Sequence, residues 1–169
     1  MDYMKCGQWK MVLYCACFSG RLEMVDLCVA QVGNDWNLAL EGACKGGHRE
    51  LVDLCMANGA NDWNLVLWSA CFSGRREMVD LCVANGANDW DWALEGACSG
   101  GHRELIYLCV SNGAYNWNSA LCGACQGGHR EIVDLCVANG ANNWEWALNY
   151  ARTDAIREQI IAYRERNRV

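Results

Sequence analysis

Residues 36–62 read WNLALEGACKGGHRELVDLCMANGAND, and this stretch decides the fold. Trp36, Leu40, Ala43 and Cys44 fall at i, i+4, i+7 and i+8, which is one face of a helix. Asn34 and Asp35 stand before it as N-cap candidates. Gly46-Gly47 then breaks the helix, because glycine takes the left-handed conformation at little cost. A second helix begins near His48 and carries Leu51, Leu54 and Cys55 on its core face, with Val52 beside them. Glu50 lies in its first turn, where the helix dipole favours an acid. Asn58-Gly59-Ala60 closes it. Neither helix is long enough to be stable alone in water, so the stretch needs a neighbour.

The neighbours are copies of the stretch. Trp9, Trp36, Trp63, Trp90, Trp117 and Trp144 recur every 27 residues without slippage. Cys17, Cys44, Cys71, Cys98 and Cys125 keep the same interval, and so do Cys28, Cys55, Cys82, Cys109 and Cys136. The residue before each later Trp is Asp35, Asp62, Asp89, Asn116 or Asn143, all good caps. A fixed period of this size means stacked supersecondary units stabilised by nearest-neighbour burial. The expected architecture is an all-α helix-turn-helix repeat solenoid, a single domain over residues 1–169. Residues 1–35 form an N-terminal capping repeat, 36–143 four internal repeats, and 144–169 a C-terminal capping repeat. The first unit has Gln8, a poor cap, and Gln31-Val32-Gly33 in place of Asn-Gly-Ala. The last replaces its core cysteine by Arg152. Thr153-Asp154 there caps a closing helix with Ile156, Ile160 and Tyr163 on one side and Arg164, Arg166 and Arg168 at its end.

Composition narrows the function classes. The chain of 169 residues is 53 % apolar and 20 % charged, which excludes a largely disordered protein. Net charge is −6, and because the tail from Arg152 onward is +2 the body is −8, which opposes wrapping around a phosphate backbone. The same charge opposes a helical repeat that reads one RNA base per unit. No signal peptide and no long apolar run is visible, so neither secretion nor a membrane span is expected. Thirteen cysteines are an odd number without a leader, which fits free thiols in a reducing compartment, and the expected location is the cytoplasm.

The string A-C-x-G-G-H-R-E-L-V-D-L-C-x-x-N-G-A resembles the ankyrin repeat. Gly47-His48-x-Glu50-Leu51-Val52-x-Leu54 with Gly59-Ala60 carries the likeness. Gly101-His102-x-Glu104-Leu105 with Gly113-Ala114, and Gly128-His129-x-Glu131-Ile132-Val133 with Gly140-Ala141, repeat it. An ankyrin unit has about 33 residues. The six missing here fall between Gly-Ala and the next first helix, where a β-hairpin belongs, and Asn-Asp-Trp-Asn replaces the Thr-Pro-Leu-His signature. The pattern looks like the hairpin-less ankyrin-like repeats of large DNA viruses. The resemblance implies a non-catalytic protein-binding scaffold working in the host-cell cytoplasm, or associated with a virion, with its first helices lining the concave side.

Each chemical motif has a structural alternative. The Trp column reads as packing that fills the space of the lost hairpin, or as an aromatic ladder for a ligand. Cys44/His48, Cys98/His102 and Cys125/His129 repeat at i, i+4, but Arg21 and Arg75 stand in for the histidine in two units, so packing cysteines are expected rather than metal ligands. Disulfides within one column are not expected, since stacked helices sit about 10 Å apart. Cys6, Cys15 and Cys122 lie outside both columns. Arg49/Asp53, Arg76/Asp80 and Arg130/Asp134 are expected as i, i+4 ion pairs. No nucleophile elbow, Walker loop or dinucleotide glycine pattern appears, so no enzyme activity, metal or cofactor is expected.

What escapes repetition is the other face of the first helix, positions 38, 41, 42 and 45 and their equivalents. Packing requirements repeat with the units, so these positions are the ones that packing leaves free. Tyr14, Phe18, Glu41, Lys45, Trp68, Phe72, Trp92, Glu95, Ser99 and Gln126 are the candidate protein-binding residues, with the aromatic members as anchors or, alternatively, as ridge filler between helices. The expected partner is a protein, neither nucleic acid nor membrane. The alternative is a structural self-assembling protein, a homo-oligomer joined through an exposed aromatic face or an imperfect cap.

Overall fold

The computed structural model describes residues 6–31 and 35–167. Helices α1 (Cys6–Phe18) and α2 (Leu22–Gln31) form the first pair, and α3 (Trp36–Gly46) and α4 (Arg49–Ala57) the second. Helices α5 (Trp63–Phe72), α6 (Arg76–Ala84), α7 (Trp90–Gly100) and α8 (Arg103–Ser111) form the third and fourth pairs. Helices α9 (Trp117–Gly127), α10 (Arg130–Ala138), α11 (Trp144–Tyr150) and α12 (Asp154–Arg166) complete the stack. No strand occurs among the described residues, and the molecule is an all-α helical repeat solenoid.

The repeated caps set the element boundaries. Asp35, Asp62, Asp89, Asn116 and Asn143 each accept a hydrogen bond from the backbone N–H three residues on. Gly47 ends α3 at φ 78°, a conformation that a Cβ strains. Each internal second helix ends on an asparagine whose Nδ2 donates to the carbonyl four residues back, as Asn58 does to Leu54 at 2.8 Å. Thr153 caps α12 as its sequence suggests.

The first helix of each unit packs on the first helix of the next, and each second helix packs on its own first helix. Neighbouring second helices approach less closely, so the stack is tighter on the first-helix side. Ala39, Leu40, Ala43 and Cys44 and their equivalents in the next three units are fully buried between first helices. All ten column cysteines are buried. The column tryptophans are partly buried against this core. At the end of the stack Tyr163 takes the place of the second-column cysteine, stacking on Trp144 with centroids 6.2 Å apart.

A single side chain joins units where six residues are missing. Asn37 Oδ1 accepts from the backbone N–H of Asn61 and of Asp62, at 2.8 and 3.0 Å. Asn64, Asp91 and Asn118 do the same for the next three junctions. At the two ends the same position makes an ion pair instead: Lys10 donates to Asp35 at 3.0 Å, and Glu145 accepts from Arg164 at 3.1 Å.

One expected ion pair gives way to this closure. Arg49–Asp53 and Arg76–Asp80 form at 3.0 and 2.9 Å. The third does not: Asp134 instead accepts from Gln159 and Tyr163, at 2.5 and 2.7 Å, and Arg130 Nε donates to Gln159 Oε1. The closing helix takes the carboxylate because its side chains reach the last second helix where no further unit stands.

Candidate binding face of the first helices

The junctions among α1, α3, α5, α7 and α9 are of two kinds. At positions 96 and 100 of α7, glycines let the helix lie directly on the backbone of α5. A Cβ on Gly96 would sit 2.6 Å from the Trp68 carbonyl oxygen, and one on Gly100 would overlap that of Phe72. Gly42 and Gly46, and Gly123 and Gly127, make the same approach to α1 and α7. The equivalents in the third unit are Ser69 in α5 and Ser73 just after it, and α5 stands farther from α3.

The histidine column reads this spacing. His48 Nε2 lies 3.1 Å from the Phe18 carbonyl oxygen, His102 Nε2 3.1 Å from that of Phe72, and His129 Nε2 3.1 Å from that of Ser99. A carbonyl only accepts, so Nε2 carries the proton. At the wider junction Arg75 Nε donates to Lys45 O at 2.5 Å. Histidine and arginine thus do one task, capping the C-terminal end of the preceding first helix, and the longer side chain spans the wider gap.

The wider junction also admits a buried ion pair. Lys45 Nζ bonds Glu41 Oε1 at 3.0 Å, with only 16 % and 13 % of the two side chains exposed. Ser69 Oγ donates to the same carboxylate oxygen at 3.0 Å. Three aromatic rings surround the ammonium, Trp68 and Phe72 at 5.4 Å and Tyr14 at 5.8 Å from their centroids. Tyr14 stacks with Phe18 and Trp68 with Phe72. The aromatic residues of units one and three therefore close on the lysine of unit two, a cation–π box supplied by three successive units.

Of the expected aromatic anchors, Tyr14 and Trp68 are partly buried in this box. Phe18, Phe72 and Trp92 keep 49 %, 38 % and 36 % of their surface exposed. Trp92 tilts against Trp68 with centroids 6.2 Å apart. Glu95, partly buried, accepts from Ser119 Oγ. Gln126 is exposed, whereas Ser99 is buried and offers no surface to a partner. In the last unit, beyond the non-aromatic face of unit five, Trp146 and Tyr150 form a second exposed pair packed edge to face. Trp146 lies two periods after Trp92, a register that marks it in the sequence although the last unit reads there only as a cap.

The cysteines form a continuous core ladder. Burial pushes the thiols of Cys44, Cys122 and Cys125 up to about 12. Cys55 donates to Cys17 across units, which lowers the Cys17 value and raises that of Cys55. Cys71 with Cys109, and Cys98 with Cys136, form corresponding pairs. Of the off-column cysteines Cys15 is exposed and Cys122 buried, and the side chain of Cys6 lies outside the described residues.

Among the described residues, no helix is long and apolar enough to cross a membrane. No family model matches the chain, and no curated protein matches it in sequence.

Proposed function

We propose that the chain is a non-catalytic scaffold that binds a protein partner along the first-helix face, in the cytoplasm. One observation carries this reading. Of the seven exposed aromatic residues among those described, Phe18, Phe72, Trp92, Trp146 and Tyr150 lie on first helices, and Tyr107 and Tyr115 lie elsewhere. Exposed aromatic residues on a rigid frame are the usual anchors of an interface. The resemblance to ankyrin-like repeats supports the same role and the same face, and extends it to the host-cell cytoplasm or a virion. The test is capture from the native source by affinity pulldown with mass spectrometry. Phe72→Ala with Trp92→Ala is expected to abolish capture of the partner while the melting temperature stays near that of the parent. Retained capture with a large loss of stability overturns the reading.

A second reading, a homo-oligomer joined at the N-terminal end, is favoured by a separate observation. Met24 is 36 % exposed, whereas its equivalents Leu51, Met78, Leu105 and Ile132 are 4–6 % exposed beneath a preceding unit. Leu22 and Leu27 are exposed beside it. This reading expects light scattering to give a dimer that Leu27→Glu dissociates. A monomer at high concentration, with and without reductant, rejects it.

A further inference from the structure

The repeat places Glu41 and Glu95 at equivalent positions two units apart, Glu41 at the wider junction and Glu95 beside a glycine-packed one. Both carboxylates are partly buried on the first-helix face, and both accept a serine hydroxyl, Glu41 from Ser69 and Glu95 from Ser119. Trp68 links the two sites: its ring lies 5.4 Å from Lys45 Nζ and tilts against Trp92, one turn before Glu95, with centroids 6.2 Å apart. Glu41 has its ammonium, supplied by Lys45 four residues on. At that position unit four has Ser99. Lys45 is the single basic residue among the non-repeating first-helix columns, so Glu95 keeps the face acidic.

We propose that Glu95, with Trp68 and Trp92, forms a docking subsite for the side-chain ammonium of a lysine in a partner peptide. The proposal rests on the reading of the first-helix face as a binding surface and names the chemistry it takes. The chain itself demonstrates the fit: a primary ammonium between a carboxylate and tryptophan is what it builds at Glu41. Aromatic faces and a half-desolvated carboxylate both favour a cation over a neutral or acidic group. The body charge of −8 steers basic segments toward the protein and acidic ones away.

The test is a titration of the full chain with a short peptide of alternating lysine and serine. Calorimetry and the indole N–H resonances of the tryptophans provide the readouts. The lysine peptide is expected to bind and to shift the Trp68 and Trp92 resonances, while the lysine-acetylated and glutamate versions do not. Glu95→Gln is expected to weaken binding at least about tenfold, the scale of one charge-assisted contact, with an unchanged melting temperature. Ser99→Lys, which gives unit four its own ammonium, is expected to weaken it as well. Glu104→Gln, an exposed acid on a second helix, leaves binding unchanged. Absence of binding by the lysine peptide, unaltered binding by Glu95→Gln, equal weakening by Glu104→Gln, or tighter binding of an arginine–serine peptide overturns the proposal. If Phe72→Ala with Trp92→Ala loses the native partner while Glu95→Gln and Ser99→Lys keep it, the face stands as an interface and the lysine assignment falls.

Discussion

The α3–α5 and α5–α7 junctions are built from one repeat and packed in two ways. At α5–α7, Gly96 and Gly100 bring the helices into backbone contact and His102 reaches the carbonyl of Phe72. At α3–α5, Ser69 and Ser73 hold the helices apart, Arg75 bridges the longer distance, and Glu41 and Lys45 fill the space between aromatic rings. The difference teaches that glycine or serine at two positions decides more than local packing. It sets which capping side chain fits and whether an aromatic residue faces an internal ammonium or solvent.

The largest expected effect concerns what the two junctions share, the thiol core. Unfolded thiols ionise near their ordinary value of 9.0, whereas Cys44, Cys122 and Cys125 keep their protons to about 12 in the fold. Between these limits the unfolded state has released protons that the folded state retains, so stability falls as pH rises above 9. Each thiol contributes a loss approaching about 1.4 kcal/mol per pH unit. Urea unfolding from neutral to strongly alkaline pH measures the slope, and Cys44→Ala reduces it by one thiol's share.

The next effect separates the junctions. Gly100→Ala sets a Cβ against the Phe72 carbonyl oxygen and is expected to destabilise by about 3 kcal/mol. Ser73→Ala, at the equivalent place in the wider junction, removes only a hydroxyl bonded to the Ser69 carbonyl and costs about 0.5–1 kcal/mol. Thermal unfolding of the two variants compares them; equal losses would mean that the junctions do not differ.

Asn37→Ala and Asn64→Ala each orphan two backbone donors and are expected to lose about 1–2 kcal/mol. The clamp is the same at both junctions, so denaturant midpoints of the two variants should shift alike. The smallest effect is the exchange of capping residues. His102→Arg and Arg75→His each put a side chain of the wrong length at a junction and cost about 1 kcal/mol. Stability of either single variant equal to that of the parent would detach the His/Arg choice from junction width.

The all-α repeat architecture was legible because the period, the Asp and Asn caps and the Gly breaks are local signals that agree. Less legible were groups whose partner lies a unit away. Asn37 stands beside a tryptophan in a cap motif, and nothing local says that its oxygen serves Asn61 and Asp62. The change from His to Arg at position 75 reads in sequence as the loss of a candidate ligand; in space both residues donate to the same kind of carbonyl. Tyr14, Lys45, Trp68 and Phe72 were visible as non-repeating positions, but their convergence depends on the distance between helices. Arg130 and Asp134 have ion-pair spacing, and the packing of α12 redirects both.

The central claim is that the first-helix face is closed by its own lysine at one junction and open at the next. Brief treatment of the native chain with limiting amine-acylating reagent, followed by peptide mapping, tests it most directly. Lys45 is expected to react much more slowly than Lys10 in the folded chain and at the same rate once the chain is unfolded. Equal rates in the folded chain would contradict the box, and with it the contrast between the two halves of the face.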